Sequence, residues 1–208
     1  MTEIGNLYII SAPSGAGKTT LVKNLVEDLP KITVSISHTT RAKRPTEMHG
    51  TNYFFIDEPK FIEMIEEGDF LEHATIFHHL YGTSRQGVQE TLARGLDVIL
   101  EIDWQGHQQI KIIFPETTSI FILPPSLDDL QQRLVKRQQD HPEIIKQRLF
   151  DVKETVSHIH EYDYVVINDE FSHALRDLKT IIEAGRLTSL RQTKKHRKLV
   201  AELCGEQF

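Results

Sequence analysis

The chain has 208 residues with 24 basic and 30 acidic side chains, giving a formal net charge of −6, and 39% of its residues are hydrophobic. That length fits one domain with its own core; no apolar run approaches the roughly 20 residues of a spanning helix, and the opening Met-Thr-Glu-Ile-Gly lacks the pattern of a signal peptide. The acidic balance argues against general binding to nucleic acid or anionic membrane, while a lone cysteine, Cys204, excludes an internal disulfide and points to a reducing, cytoplasmic setting.

In chain order, Leu7–Ile10 reads as a short buried strand, and Thr19–Leu29 as a helix with Leu21, Val22, Leu25, Val26 and Leu29 on one face. Ile32–Ser37 is a second strand. Residues 38–89 then break the rhythm: a basic turn at Arg41–Pro45, an aromatic strand at Tyr53–Ile56, an acidic helix at Glu58–Glu67, short segments at Phe70–Ala74 and Phe77–Tyr81, and a helix opening at Ser84. Val98–Ile102, Ile120–Leu123 and Tyr164–Ile167 are further buried strands, alternating with helices at Asp128–Arg137, Pro142–His158 and Phe171–Ala184. Strand–helix alternation of this kind predicts an α/β fold, a parallel sheet with helices on both faces and a small mixed insertion. The tail from Arg186 to Lys198 holds six basic residues, for which a solvated helix face is favoured over a nucleic-acid contact. The charge imbalance is local: residues 57–72 hold seven acids and one base, and the remainder of the chain is balanced at 23 of each.

Ser11-Ala-Pro-Ser-Gly-Ala-Gly-Lys-Thr-Thr20 lies between a strand and an amphipathic helix, the context that a phosphate-binding loop requires. Gly15 and Gly17 allow the backbone N–H groups to turn inward on phosphate oxygens at a helix N-terminus. Lys18 brings a mobile positive charge, and the Thr19 hydroxyl is placed for magnesium. Ala12 stands where the usual pattern has glycine. The loop implies a nucleoside triphosphate and leaves the reaction open. Asp103-Trp-Gln-Gly106 fits a GTPase pattern, yet no Lys-x-Asp element exists to read guanine.

Arg41 and Arg44 offer two forked donors for a phosphate monoester, and Tyr53 and Tyr81 offer phenolic O–H groups. On spacing alone the arginines also fit a solvated basic turn. Glu72 could accept the adjacent N1–H and N2–H of guanine, an arrangement that adenine cannot satisfy; taken singly it reads as an exposed charge on an edge strand. Arg133 and Arg137 are four apart, on one helix face, and suit either ion pairs with Asp128 and Asp129 or stabilisation of a transferring phosphoryl group. His78-His79 and His158-Ile-His160 lack metal-ligand spacing and are read as structural or exposed.

Taken jointly, Ser37-His-Thr-Thr-Arg41, Arg44-Pro45, Gly50, Tyr53, Leu71-Glu-His73, Tyr81-Gly-Thr-Ser84, Asp103-Trp-Gln-Gly106, the arginines between 133 and 148, and Tyr162-Asp-Tyr164 with Asn168-Asp169 resemble the bacterial type of guanylate kinase over about residues 4 to 185. The resemblance implies a P-loop nucleoside monophosphate kinase that transfers the γ-phosphoryl of ATP to GMP, and also dGMP, with Mg2+. It implies a core (about 1–36, 90–125 and 157–208), a GMP-binding subdomain (about 37–89) and a helical lid (about 126–156). The implied ATP site is Ser11, Ala12, Pro13, Ser14, Gly15, Ala16, Gly17, Lys18, Thr19, Thr20, Arg133, Arg137 and Asn168. The implied GMP site is Ser37, Arg41, Arg44, Tyr53, Glu72, Tyr81, Gly82, Thr83, Glu101 and Arg148. Lys18, Arg44, Arg137 and Arg148 are the implied catalytic residues, with Thr19 on the metal and Asp103 reaching it through water. The chain departs from the family pattern at Glu101, one methylene longer than the usual aspartate, and at Gln138 in place of glycine. Two other readings stand beside it: a guanylate-kinase-like interaction module without catalysis, which the intact Lys18 loop opposes, and a kinase for another nucleotide, which Glu72 opposes. ATP and GMP are the expected partners, with neither nucleic acid nor membrane, and the sequence assigns no oligomeric state.

Overall fold

The computed structural model describes residues 4–136 and 142–205. The chain opens with β1 (Leu7–Ser11), α1 (Lys18–Asp28) and β2 (Ile32–Val34), then passes through β3 (His38–Thr39), β4 (Phe54–Phe55), α2 (Glu58–Glu66), β5 (Phe70–Ile76) and β6 (His79–Ser84). It continues with α3 (Arg85–Ala93), β7 (Asp97–Leu100), α4 (Trp104–Ile113) and β8 (Thr118–Leu123). Next come α5 (Leu127–Lys136), α6 (Pro142–Ser157), a 3-10 turn at Ile159–Glu161, β9 (Tyr164–Ile167), α7 (Phe171–Arg186), α8 (Ser189–Lys195) and α9 (Arg197–Cys204).

Five strands form one sheet in the order β2-β7-β1-β8-β9, and every pairing in it is parallel. The alternation of a strand sends successive side chains to opposite faces, and the core divides accordingly. Tyr8, Ile10, Ile99, Ile120 and Ile122 face Leu21, Val22 and Leu25 of α1 and Ala174, Leu178 and Ile182 of α7. Ile9, Val98, Leu100 and Phe121 face Val88 of α3, Ile110 of α4 and Tyr162. Both faces of the central strands are therefore covered, as their near-continuous apolar runs require, whereas β9, expected to be buried, lies at the sheet edge with Tyr164, Val165 and Ile167 exposed. Among the described residues no helix is long and apolar enough to cross a membrane.

The second sheet, in the order β4-β3-β6-β5, is built within residues 38–84 and is mixed: β3 and β4 are parallel, and β6 is antiparallel to both β3 and β5. It differs from the sequence expectation at three places. The strand expected over Ile32–Ser37 ends at Val34, because the chain leaves the core sheet there and re-pairs in the second sheet at His38. The aromatic segment Tyr53–Ile56 contributes only Phe54–Phe55 to the ladder. The segment Phe77–Tyr81 is split, since Phe77 and His78 (φ 48° and 65°) form the two-residue turn between β5 and β6. Paired positive φ values match the right-handed twist of a hairpin, but glycine or asparagine usually supplies them, so this turn carries no sequence signal.

Helix α2 is capped by Asp57, whose side chain accepts from the Lys60 N–H at 2.9 Å, and it buries only Phe61 against Phe70. Its acidic residues lie in solvent, as the charge pattern suggests. Several contacts fasten the second sheet to the core, among them a bond from the Gln105 amide of α4 to the Thr75 carbonyl at 3.4 Å. Leu71 enters the core cluster, and the Gln109 amide of α4 pairs reciprocally with the His73 backbone at 2.8 and 3.1 Å, acting as a strand partner for the free edge of β5.

The basic tail departs from the expected solvated face. Asp97, 2% exposed, accepts from Arg186 at 2.8 Å, from Arg191 at 3.3 Å and from the Asn6 backbone N–H at 2.7 Å. Arg186 also donates to the Pro30 carbonyl at 2.7 Å. The tail is thus docked onto the start of β7, and only Lys194, Lys195, Arg197 and Lys198 remain exposed. Removing one arginine leaves the buried carboxylate under-paired. Arg186→Ala should cost about 2 kcal/mol and lower the midpoint of thermal unfolding by roughly 4–8 °C, read by circular dichroism. An unchanged midpoint would mean that the Asp97 cluster contributes nothing to stability.

Candidate active site

All five core strands run parallel, so their carboxyl ends open on one edge of the sheet, where ligands bind in open α/β folds. The phosphate-type loop leaves β1 at this edge. Gly15 and Gly17 both adopt positive φ (95° and 96°), and Gly17 is the N-cap of α1, with Lys18 its first residue. A side chain at Gly17 would also collide with the Asn168 amide. That amide donates to the Ala16 carbonyl at 2.7 Å from a position only 5% exposed, directly after β9. Arg133 of α5 holds the same place from the other side, donating to the carbonyls of Ala16 (3.3 Å) and Asn168 (3.1 Å). With its carbonyls engaged behind, the loop presents N–H groups at the positive end of α1. Ser11 and Pro13 are buried, and Ser11 donates to the Ile102 carbonyl at 2.7 Å, tying the loop to the end of β7. Ala12 packs its methyl group on the core cluster, which gives that position a use that glycine could not supply. Ser14 and Lys18 are half-buried, whereas Thr19 and Thr20 are exposed.

On the second sheet, Glu72 is 4% exposed, which overturns its reading as an edge-strand surface charge. A bulge between Phe70 and Glu72 turns Leu71 into the core and redirects the carboxylate. Its protein donor is Thr83, whose hydroxyl lies 2.5 Å from Oε1. Burial pushes the Glu72 carboxyl up to about 7; the Thr83 hydrogen bonds oppose the rise, and the Asp103 charge adds to it. Oε2 fills the space where Gly106 would carry a Cβ. Gly82 plays a packing part, since a side chain there would strike the rings of Phe70 and Phe61.

Arg41 and Arg44 do not form a solvated turn. Arg41 donates to Glu47 at 2.7 Å and to the Ala42 carbonyl at 2.8 Å, and its guanidinium lies 5.5 Å from the Tyr53 ring centre. Tyr53 and Tyr81 meet edge to face at 5.9 Å. Burial raises the Tyr53 phenol to about 12, so it is present as a donor. Ser37 lies at the crossing between the two sheets, where its carbonyl accepts from the Phe54 N–H at 2.9 Å.

Glu101 follows β7, and its Oε1 is buried with no hydrogen-bond partner among the described residues. Asp103 caps α4, accepting from the Gln105 and Gly106 N–H groups at 3.1 Å each and from the Gln105 amide at 3.0 Å. Much of its hydrogen-bonding capacity is thus spent on the helix. Arg133 contacts loop carbonyls rather than Asp128 or Asp129. Arg137 and the side chain of Arg148 lie outside the described residues. No cluster of three or more His, Cys, Asp or Glu able to hold a metal occurs among the described residues.

Two contributors went unassigned in the sequence reading. Glu47 holds both arginines of its loop, and an acid three residues after Arg44 was the available signal. Gly106, in the first turn of α4, is needed by Glu72. Glycine in a helix, where it costs about 1 kcal/mol, was its signal.

The guanylate kinase family profile matches residues 4–185. Guanylate kinase of Pseudomonas fluorescens strain Pf0-1 is 55% identical over 201 residues, covering 97% of this chain and 98% of its own. That of Coxiella burnetii is 54% identical over 202 residues, with the same coverage. The crystal structure of guanylate kinase from Anaplasma phagocytophilum superposes with a TM-score of 0.79 at 29% identity, covering 96% of this chain and 95% of that one. With a phosphate loop at one end of the parallel sheet, a buried carboxylate on the second sheet and likeness over nearly its whole length, the chain belongs to the guanylate kinase family.

Proposed function

We propose that the chain is an ATP:GMP phosphotransferase, acting on GMP and dGMP, with the roles of its residues set by the geometry of the two sheets. The observation that carries the reading is Glu72: a carboxylate removed from water whose protein donor is the Thr83 hydroxyl. A buried acid with so little compensation is costly, and guanine would compensate it through N1–H and N2–H. The orphaned Oε1 of Glu101 supplies a second acceptor near the same ligand.

In this reading the phosphate loop binds the β- and γ-phosphates of ATP through its N–H groups, and Lys18 follows the charge as it moves. Arg41, Arg44, Tyr53 and Tyr81 hold the GMP phosphate, an anionic nucleophile that needs no general base. One of its oxygens attacks the γ-phosphorus as the bond to ADP breaks, and the protein acts by alignment and electrostatics. Arg133 braces the loop from the lid, and Arg137 and Arg148 are assigned to the transferring phosphoryl group on the family pattern. Thr19 fits a magnesium site: its hydroxyl is exposed beside Lys18, and Mg2+ on nucleotide phosphates needs only one or two protein ligands. When bound, the ion would neutralise charge between the β- and γ-oxygens. Asp103 serves primarily as the cap of α4 and would reach the ion only through water. We assign the protein to the cytoplasm on its single cysteine.

Coupled assays of ADP release with GMP, dGMP, AMP, CMP and UMP test the reading, and absence of turnover with GMP and magnesium-ATP would overturn it. Lys18→Ala should reduce turnover at least about a hundredfold with an unchanged circular dichroism spectrum; a fully active variant would remove the loop from the mechanism. The ionised form of Glu72 reads guanine, so kcat/KM for GMP should fall as pH drops through about 7. Glu72→Gln should erase that break, leave the one near pH 6 that belongs to the substrate phosphate, and lower the preference for GMP over AMP. Its stability effect has the opposite sign. The folded carboxyl is raised from 4.5 to about 7, so the wild type loses about 3 kcal/mol as pH rises across that window. Glu72→Gln should therefore unfold at a higher temperature than wild type at pH 8, and a lower one would refute the buried-charge account.

A further inference from the structure

The loop between β3 and β4 brings two like charges together around one acid. The side chains of Arg41 and Glu47 are only 15% and 13% exposed, and that of Arg44 is 37% exposed. Glu47 Oε1 accepts from Arg41 Nη2 at 2.7 Å and lies 4.0 Å from Arg44 Nη1. Its other oxygen accepts the backbone N–H of Arg44 at 2.9 Å, and the Glu47 N–H returns a bond to the Arg44 carbonyl at 3.1 Å. The carboxylate is thus pinned to the backbone of its own turn as well as to Arg41. An ion that merely filled an empty phosphate site would need the guanidinium contacts and no backbone bond. On the far side, the Arg41 guanidinium lies over the rings of Tyr53 and Phe55, 5.5 and 5.7 Å from their centres.

We propose that Glu47 is a positioning residue for the acceptor nucleotide, holding the Arg41 and Arg44 guanidinium groups side by side so that both forks converge on the phosphate monoester. The inference rests on the proposed assignment of Arg41 and Arg44 to the GMP phosphate. Charge arithmetic supports it: the two arginines and Glu47 carry a net single positive charge, which lets two guanidiniums share a half-buried loop without a ligand and still attract a dianion. Burial alone would raise the Glu47 carboxyl, but the hydrogen bonds from Arg41 and Arg44 outweigh it and hold Glu47 below the usual carboxylate range. The pin is therefore charged at neutral pH. Arg41 has five N–H donors, of which the bonds to Glu47 and Ala42 use two, so its fork can take the phosphate without releasing Glu47.

The test measures binding of GMP and of guanosine, which lacks the phosphate, by calorimetry on wild type, Glu47→Gln and Arg41→Ala, with KM for ATP from coupled assays. Glu47→Gln keeps the shape and one carbonyl acceptor but removes the charge and the second acceptor. It should weaken GMP about tenfold or more while guanosine affinity and KM for ATP stay within about twofold. Equal loss of GMP and guanosine would show that Glu47 supports only the fold of the second sheet. Tighter GMP binding would show that Glu47 occupies the phosphate site instead. Either result overturns the inference, as does unchanged GMP binding. Arg41→Ala separates the two levels: if it leaves the ratio of GMP to guanosine affinity unchanged, the phosphate assignment itself fails. If it collapses the ratio while Glu47→Gln does not, only the role of Glu47 fails.

Discussion

A parallel sheet has one carboxyl edge, and that constraint organises the molecule. Parallel strands cannot be joined by hairpins, so each connection crosses a face as a helix, and each strand delivers its next residues to the same side. The loop after β1, Glu101–Asp103 after β7, the start of α5 after β8 and Asn168 after β9 meet there with no further instruction. Bonds among the described residues that lock this edge run from Ser11 to Ile102, from Asn168 to Ala16, and from Arg133 to both Ala16 and Asn168. They engage carbonyls and leave the N-terminus of α1 facing the loop.

Three buried or half-buried acids meet the cost of desolvation in different ways. Asp97 receives two arginines and a backbone N–H, which makes it a structural joint between the tail and β7. Glu47 receives one arginine closely, a second at longer range and a backbone N–H, in a loop that faces the proposed acceptor phosphate. Glu72 receives a hydroxyl and remains under-compensated. The gradient in compensation follows use: the better an acid is paired inside the protein, the less it can offer to a ligand.

What could be read in the sequence was whatever repeats over several residues or packs chemistry into adjacent positions. The core strands are apolar on both faces and α1 has helical spacing, so both were legible, as was the Gly15-Ala-Gly-Lys-Thr19 run. The two-residue strands β3 and β4 are too short to carry any period, and the Phe77-His78 turn uses residues that rarely adopt positive φ. Arg186 and Arg191 looked like a surface stripe because their partner, Asp97, lies about ninety residues earlier. The burial of Glu72 depends on a bulge and on a glycine 34 positions later, and neither leaves a mark near residue 72 itself.

The close approach of the Glu72 carboxylate to Gly106 couples those two positions energetically as well as in space. Their substitution effects should not add, because residues sharing one volume are energetically linked. A side chain at 106 becomes tolerable only after the acid at 72 has been shortened or moved, and losing the acid first discards the proposed guanine contact. On the proposed reading, changing the base that this site accepts means passing through a sequence that reads no base well, or altering both positions together. The missing Cβ at 106 thus sets how far the acid at 72 can be changed one step at a time, from a residue with no side chain of its own.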